Sequence, residues 1–480
     1  MRQSVRLSGG TLRRSKRVSR ALTIVAMGLT LVMAAPQALA QRPGTRDTLP
    51  ADSASRDSIA VRLERAEAAI ELLRRQLALE ATSVVRTRSR IQLELSARIM
   101  TNFFVTDRRV NSVDVPQFAL PDVATPPMLP GSAAPSSRPG ARATGLTLRQ
   151  SRIGAALSVD SVLGGTFEGD LELDFFGGVS NSPGERRLFP EPRLRTARAR
   201  LQWDRTSIFI GSDTPLISDL NPISVAAVGL PGFVTAGNLW NWLPQLRLSH
   251  DLLVRANGVR IGAQVALLTP FSGVQHPAET DGVDAGERSG RPYVEGRVHL
   301  RWGDGATRSS VPSDAMLGEA GGEIGVGVHR GWLRSSGDSL TTSEAVSVDA
   351  RVMVAPVIEL RGEAYRGQLL RGLGGGAIGQ NFGRAQPGGL IGAPIRTTAG
   401  WLQANLQAHP TLITGVGCGR EVVNTDDLPL RESNLACAAH LLWRPAQPML
   451  IGIEYRRIET RYSTATNRAG HLNLAFGFEL

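Results

Sequence analysis

The sequence has few of the residues from which enzyme and metal sites are built. Its two cysteines, Cys418 and Cys437, lack the spacing of a metal motif, and its seven histidines are scattered along the chain. No nucleophile elbow, Walker loop or HExxH sequence occurs. We therefore expect no metal and no cofactor, and we expect that the protein is not an enzyme.

Lysine and long apolar runs are also scarce. Lys16 is the only lysine, and no stretch after residue 40 is apolar enough for a membrane-spanning helix, which needs about 20 residues. Residues 1–40 carry seven positive charges and no negative one, so the net charge of +11 falls to +4 for residues 41–480. This mild excess gives no argument for nucleic-acid binding.

The first forty residues have the pattern of an export signal. A basic segment ends at Arg20, an apolar run follows over 21–35, and residues 38–40 (ALA) fit a small-x-small cleavage site. An uncleaved anchor is the alternative, but the apolar run is short for a span, which favours cleavage before Gln41. The exported chain is then either soluble outside the cytoplasm or a β-barrel, and its cysteines suit an oxidising compartment.

The next two segments predict a tether and a helix. Residues 41–55 are polar and contain prolines, so we expect a flexible linker. Within 56–82 the apolar residues recur in a heptad seam: Ile59, Leu63, Ala66, Ile70, Leu73 and Leu77. A single helix of this length is marginal in water, so we predict a periplasmic coiled coil. A helix lying on or inside a barrel is the alternative.

After this helix the period of the sequence changes to two. In the segment 166–174 one face of the predicted strand is acidic and the other apolar: Glu168, Asp170, Glu172 and Asp174 oppose Phe167, Leu171 and Leu173. A row of carboxylates cannot line a dry core, because each buried charge would need a partner, but it can line water. The pattern is typical of a barrel with lipid outside and water inside.

The same alternation predicts sixteen strands, an even number as in bacterial outer-membrane barrels. They are about 90–104, 144–160, 164–177, 192–204, 206–212, 244–255, 258–269, 291–303, 321–334, 342–354, 357–369, 395–408, 411–420, 434–444, 448–460 and 468–480. Long connections alternate with tight turns except at 304–320, where an extra element is left open. We predict an all-β fold, a 16-stranded antiparallel transmembrane barrel over 88–480 that follows the coiled-coil helix.

Aromatic residues make up only 5% of the chain, but three tryptophans occupy equivalent positions on their predicted strands. Trp203, Trp302 and Trp443 all fall at the lower ends of predicted downward strands. An interfacial aromatic girdle is expected there in an outer-membrane barrel.

A charged face on the strand after the acidic row supplies candidate pore residues. Arg198, Arg200 and Gln202 share one parity there. Carboxylates on one strand beside guanidiniums on the next would create a field across water that filters charged solutes. The alternative is mutual neutralisation by adjacent-strand ion pairs, which would only keep the wall wet and rigid.

The loop 213–243 is the candidate constriction. It is long, almost uncharged and rich in small and apolar residues, so it would be an adhesive patch if it were exposed. We expect it to fold into the lumen, with Asp213, Asp219, Asn221 and Asn238 as its polar residues. A loop that makes subunit contacts is the alternative.

Two further features are interpreted as structural. Cys418 and Cys437 would face outward across one hairpin, and we hypothesise a disulfide between them, with two separate lipid-facing thiols as the alternative. Residues 374–379 match GxGxxG but lack a flanking βαβ unit, which indicates a flexible surface loop.

Five runs of the sequence resemble the DcaP-like trimeric outer-membrane porins: LRQSRIG (148–154), GGTFEGDLELDFFGG (164–178), LRTARARLQW (194–203), IGSDTPLISDLNPIS (210–224) and GNLWNWLPQLRL (237–248). The resemblance implies a sixteen-stranded trimer with a periplasmic N-terminal coiled coil that passes small, often anionic, organic solutes. It places these residues in the recurring motif: Arg149, Arg152, Glu172, Asp174, Arg195 and Arg198.

The functional expectation is a passive diffusion channel in the outer membrane of a Gram-negative cell. Its partners would be outer-membrane lipid, two further copies of the chain and small hydrophilic solutes, with some preference for small organic anions. A second hypothesis is a structural barrel that tethers the envelope. A third, an outer-membrane hydrolase, would need a serine and a histidine side by side on the lipid-facing wall.

Overall fold

The computed structural model describes residues 84–86, 91–121, 142–177, 185–227, 229–274, 281–303, 321–334, 339–384 and 392–480. The predicted signal peptide 1–40, linker 41–55 and coiled-coil helix 56–82 lie outside the described residues, and so does 304–320. The described part of the chain contains no helix that is long and apolar enough to cross a membrane.

The described residues form eighteen strand segments in one antiparallel sheet. These are β1 (Val84–Arg86), β2 (Ile91–Thr106), β3 (Ala143–Thr147), β4 (Arg152–Val162), β5 (Gly165–Asp174), β6 (Arg193–Gln202), β7 (Thr206–Asp213), β8 (Leu243–Val254), β9 (Arg260–Leu268), β10 (Tyr293–Gly303), β11 (Gly321–Arg334), β12 (Leu340–Ala355), β13 (Ile358–Gln368), β14 (Arg396–His409), β15 (Leu412–Val423), β16 (Arg431–Trp443), β17 (Met449–Tyr462) and β18 (Thr466–Glu479). Short helices occur at Glu185–Leu188, Glu287–Ser289, Arg371–Leu373, Gly376–Gly379 and Thr425–Asp427.

The sheet closes into a barrel of sixteen strands. β3 and β4 both pair with β2, on either side of an interruption at 148–151, and together form one strand of the wall. The later strands pair in chain order, and β18 pairs with β2 to complete the ring. β1 pairs with the first part of β2. The predicted closed antiparallel barrel of sixteen strands is confirmed.

Burial in this barrel is the reverse of that in a water-soluble protein. On β10 the side chains of Glu295, Arg297 and His299 are buried, whereas those of Val298 and Leu300 are exposed. Elsewhere on the outer face Leu402 keeps 61% of its surface exposed. Because exposed apolar surface of this extent is unfavourable in water, the outer wall suits a hydrocarbon environment.

The connections differ between the two ends of the barrel. Tight turns at 163–164, 356–357 and 410–411 join strands at the lower end, and the connections after β2, β5, β7, β9 and β13 at the upper end are longer. In one upper loop the described residues 269–274 and 281–292 are joined by hydrogen bonds. Arg288 Nη2 donates to Asp281 Oδ2 at 2.5 Å, and this bond lowers the pKa of the Asp281 carboxyl from its ordinary value.

The two cysteines are joined across neighbouring strands. Cys418 on β15 is the direct partner of Cys437 on β16, with 4.0 Å between their Cα atoms, and their sulfur atoms are bonded. Both residues share the outward parity of the exposed Val416 and Leu435.

We predict that this bond is present in protein purified from the envelope. Alkylation in denaturant without reductant should add no alkyl group, because both thiols are consumed in the disulfide, and reduction beforehand should add two. Mass spectrometry of the intact chain measures the difference. Two alkyl groups on the unreduced protein would mean that the thiols are separate.

Candidate functional site

Charged side chains of alternating sign line the inner face of the wall from β4 to β8. Asp170 and Arg198 are direct cross-strand partners, and Arg198 Nε donates to Asp170 Oδ2 at 2.8 Å. Arg198 also lies 3.6 Å from Asp213, which is 3.5 Å from Arg247 on β8. Carboxylates and guanidiniums therefore form a chain of ion pairs around the wall, which is the arrangement predicted from the sequence as the alternative for β5 and β6.

Glu168 and Arg200 continue this array toward the lower end of the barrel. They are direct cross-strand partners, and the inward parity also includes Gln202. Among the described residues no hydrogen bond reaches the Arg200 guanidinium, so its donors stay available to water or solute.

A β-bulge raises the arginine density at the upper end of β6. The pairing with β5 shifts between Glu172 and Leu173, so that Arg195 and Thr196 are both buried although they are adjacent in sequence. Arg195 Nη1 donates to Glu172, which also lies 3.7 Å from Arg152 on β4. A bulge places two successive side chains on one face, and this one adds a guanidinium that strict alternation would send outward.

The interruption at 148–151 supplies a second departure from alternation. Arg149, Gln150, Ser151 and Arg152 are four successive residues that are all buried. Ser151 Oγ accepts from the Met100 N–H at 2.9 Å and donates to the Met100 carbonyl at 3.2 Å. One hydroxyl thus takes the place of two bonds of the strand ladder.

Two aromatic side chains, Phe176 and Trp242, lie against the arginines at the upper end of this wall. The Arg149 guanidinium lies 4.0 Å from the centre of the Phe176 ring and 2.8 Å from Asp114. Arg193 and Arg195 stand over the Trp242 ring at 5.4 and 4.6 Å. Arg193 Nη2 also donates to Asp174 Oδ2 at 2.6 Å. Cation–π contacts and ion pairs together hold the guanidiniums apart and fix their orientation.

The loop between β7 and β8 contacts inward-facing residues on the other side of the barrel. Its first arm is held by carboxylates: the Ile217 N–H donates to Glu295 at 3.2 Å and Ser218 Oγ donates to Glu363 at 2.7 Å. Asp219 lies 4.0 Å from Arg297, whose guanidinium is fully buried. These bonds hold the first arm against β10 and β13.

The middle of the loop reaches β17, β2 and the strand interruption. Glu454 on β17 accepts from Ser224 Oγ at 2.6 Å and from the Val225 N–H at 3.0 Å. The Val225 carbonyl accepts from Asn102 on β2 at 2.9 Å, and the Ala226 carbonyl accepts from Gln150 at 3.0 Å.

The two arms of the loop are also bonded to each other. Asn238 Nδ2 donates to Asn221 Oδ1 at 3.0 Å and to the Gly232 carbonyl at 2.9 Å. Gly237 has φ +108°, and a Cβ atom there would stand 2.5 Å from the Gly400 backbone on β14. The close approach and the positive φ require glycine at position 237.

The glycine-rich loop after β13 is buried, so its interpretation as a flexible surface loop was wrong. Ala377 and Ile378 are 0% exposed, and their N–H groups donate to Glu421 on β15 at 2.6 and 3.0 Å. Both have left-handed backbone angles, with φ of 54° and 55°. The carboxylate inside the barrel compensates the strain, because it accepts the two donors that this turn presents.

These two loops cover unequal parts of the wall. The inward side chains from β10 through β18 are mostly buried beneath them and beneath the loop after β2, whose Ala119 N–H donates to Thr460 and whose Ala119 carbonyl accepts from Tyr462. Inward residues on β5 and β6 remain partly exposed: Glu168, Asp170, Glu172, Arg198, Arg200 and Gln202. The charged wall of β5 and β6 is therefore not closed off by these loops in the described barrel.

The solved structures to which this chain is similar include outer-membrane channels. The fold is similar to that of the channel DcaP. The match to the outer membrane channel DcaP of Acinetobacter baumannii has a TM-score of 0.58 at 13% sequence identity and covers 82% of this chain and 99% of that one. The anion-selective porin from Comamonas acidovorans follows at a TM-score of 0.48 and 11% identity, covering 81% and 100%. No family model and no curated protein matches the sequence.

A serine, a histidine and a glutamate also meet inside the barrel. His329 Nδ1 lies 2.9 Å from Glu295 Oε1, and its Nε2 lies 3.0 Å from Ser343 Oγ. Ser343 Oγ is 3.1 Å from the Leu369 carbonyl, and Glu295 holds the Ile217 N–H. All three side chains are buried and tied to the two inward loops, which makes the group a structural clamp. It lies on the inner face, whereas a hydrolase was expected to place its serine and histidine on the lipid-facing wall.

We predict that Glu454→Ala destabilises the protein strongly. The substitution removes the carboxylate that accepts from Ser224 and Val225. It also removes the ion-pair partner of the buried Arg456, whose guanidinium lies 2.8 Å from that carboxylate in the wild-type protein. Breaking a buried pair of this kind costs about 3–5 kcal/mol. Glu459→Ala is the matched control, because Glu459 lies on the same strand but faces outward. Thermal melts in detergent should show a clear fall for the first and almost none for the second; equal melts would refute the anchoring role.

Sequence reasoning missed part of this site. Arg247, Trp242 and Phe176 lie beside the predicted array but were not selected. Arg247 alternates with Leu246 and Leu248, so its parity could have found it. The buried cluster of Arg297 with Glu323 and Asp349 had no sequence signal beyond the same alternation.

Proposed function

We propose that this protein is a passive diffusion channel of the outer membrane. The observation that carries the proposal is the unequal cover of the inner wall: the loops after β2, β7 and β13 bury most of it and leave the ionised face of β5 and β6 in contact with solvent. A dry or filled barrel would have no reason to keep that face hydrated, because buried ion pairs are at best weakly stabilising. The similarity to DcaP supports the same conclusion.

We further propose that the loop 213–243 is the constriction and that the passage prefers small organic anions. Seven arginines of the array face six carboxylates: Arg149, Arg152, Arg193, Arg195, Arg198, Arg200 and Arg247 against Asp114, Glu168, Asp170, Glu172, Asp174 and Asp213. Two of these carboxylates, Glu172 and Asp213, each contact two arginines, whereas a guanidinium carries five donors in a planar fork. The Arg200 guanidinium, which no hydrogen bond from the described residues reaches, suits the carboxylate or phosphate group of a solute.

Planar-bilayer recordings of the refolded full chain test both statements. Single-channel steps in symmetric salt are the expected result for a channel, and a barrel without conductance would favour the envelope-tether hypothesis. Under a salt gradient the sign of the reversal potential reports the preferred ion. A cation-selective potential would refute the anion preference and leave the channel intact.

Membership of the DcaP-like family, a homotrimeric assembly and a periplasmic coiled coil belong to the same proposal. The resemblance of the sequence over 144–250 and the shared barrel fold support them. Cross-linking of the protein in native membranes, with and without residues 56–82, would measure the oligomer and the contribution of the predicted helix.

A further inference from the structure

Three outward-facing arginines lie on alternate strands in the upper part of the barrel wall. Arg366 on β13, Arg420 on β15 and Arg457 on β17 are all exposed and share the parity of the lipid-facing apolar residues. Among the described residues none of the three has a hydrogen bond or an ion pair. Charged side chains on this face of a membrane barrel are costly unless they find a partner.

The three arginines lie at one height. Arg366, Arg420 and Arg457 stand eight residues above the first residues of their strands, Ile358, Leu412 and Met449. A hydrogen-bonded row climbs around a tilted barrel: the row that begins at the foot of β13 reaches Ile453 on β17, above the first residue of that strand. On β15 and on β17, the arginine lies two residues below the position that the hydrogen-bonded row through the preceding arginine reaches. This offset compensates the rise of the rows around the barrel, so the three arginines lie at one height.

The spacing follows from the sheet geometry. Strands lie about 4.8 Å apart, so arginines on alternate strands are separated by about 10 Å around the circumference. Their long side chains can reach toward one another or upward toward the rim.

The height of these arginines marks a change in the composition of the outer wall. Below them the wall is apolar, with the exposed residues Leu402, Val416 and Ile453. Tyr455, which is 51% exposed, lies next below Arg457 on the outward face. An aromatic ring beneath a charge is typical of the boundary between hydrocarbon and headgroups.

The arginines nearer the rim already have carboxylate partners. Arg461 Nε lies 3.0 Å from Glu432, Arg468 Nε lies 2.7 Å from Glu459, and Arg396 Nη2 lies 2.5 Å from Asp427. Carboxylates of the protein thus neutralise these three arginines, whereas the three at the boundary are left to another anion.

We infer that Arg366, Arg420 and Arg457 form a binding site for the phosphate groups of a phosphorylated glycolipid in the outward leaflet. The inference rests on the outer-membrane location proposed above. A guanidinium binds phosphate through two parallel hydrogen bonds and is weakly hydrated, which makes arginine suited to a phosphate at a membrane surface. Three guanidiniums at one height, about 10 Å apart, fit a headgroup that carries more than one phosphate.

Acyl chains of the same lipid would lie on the apolar wall beneath the arginines. Gly362 and Ala364 on β13 and Gly400 on β14 face outward beside Arg366 and present little side-chain volume. The bulky Leu402 and Val416 lie lower on the neighbouring strands. The shallow surface under the arginines leaves room for chains to pack against the barrel.

The test measures lipid binding to the detergent-solubilised full chain by native mass spectrometry. The probes are bisphosphorylated lipid A, the same lipid after enzymatic removal of both phosphates, and phosphatidylglycerol. The variants are R366Q/R420Q/R457Q, the charge-preserving R366K/R420K/R457K, and R205Q/R255Q, which removes exposed arginines from the lower turns.

Wild-type protein and R205Q/R255Q should bind bisphosphorylated lipid A at least about tenfold more tightly than R366Q/R420Q/R457Q, with the lysine variant between them. The phosphate-free lipid should bind weakly to all of them. Equal binding by wild type and the glutamine variant, or phosphatidylglycerol binding as tightly as lipid A, would overturn the inference. Bilayer conductance of the same samples is recorded in zwitterionic lipid, so a failure of the channel proposal is detected separately.

Discussion

Replacing residues 216–241 with a short glycine–serine linker should increase the single-channel conductance at least about twofold. That segment lies against inward residues of β10, β13 and β17, among them Glu295, Glu363 and Glu454. These side chains are ionisable and would be hydrated once the segment is gone. Water would then occupy the cross-section that the loop fills, and ion flow rises with that cross-section.

The measurement is conductance in planar bilayers at high salt, where surface charge is screened within about 3 Å. Heat-modifiable electrophoretic mobility of the same sample controls for closure of the barrel. Glu454→Ala is an intermediate variant: it releases the middle of the loop and should give frequent current fluctuations instead of one larger step. An unchanged conductance in the linker variant would exclude the loop as the constriction.

The double substitution Arg198→Glu and Arg200→Glu should reverse the ion preference of the channel. Both guanidiniums face the solvent-exposed part of the lumen on β6, opposite Asp170 and Glu168. Two unit charges 8 Å apart interact by about 2 kcal/mol at an effective dielectric constant of 20. Reversing two charges next to a passing anion therefore changes the anion-to-cation permeability ratio by at least about tenfold.

Reversal potentials under a salt gradient measure this ratio. The matched control is Arg205→Glu and Arg255→Glu, which makes the same charge change at the lower turns, off the array. The control should move the potential only slightly at moderate salt, because exposed charges beyond a Debye length are screened. If both double variants shift the potential equally, the array on β5 and β6 does not set selectivity.

The strands were predictable because their pattern is local. Each side chain of a membrane barrel meets either lipid or the lumen, so the period of two is present in every strand and its end is marked by a turn. The predicted range 321–334 coincides with β11, and 258–269 differs from β9 by two residues at its start and one at its end. The charged faces of β5 and β6 followed from the same rule.

The departures from the pattern depend on contacts between distant residues. The bulge turns Arg195 inward although it has the parity of the outward Ala197 and Ala199. The sequence shows only a charge that breaks the apolar parity, and the pairing with β5 decides that a bulge accommodates it. The burial of Ala377 and Ile378 depends on Glu421, which lies on another strand. A glycine-rich segment has the same composition whether it is exposed or packed around a carboxylate, so composition alone misplaced it.

The hydroxyl of Ser151 has a consequence for how variants of this region are interpreted. It stands in for two peptide groups opposite Met100, so the wall remains sealed where the strand itself is broken. A transport-deficient variant at 149–152 could have lost a solute contact or could leak through a defective seam. Ser151→Ala separates the two causes, since it removes the seal and keeps both neighbouring arginines. Genetic screens that score uptake alone would merge a selectivity defect with a permeability defect at these four positions.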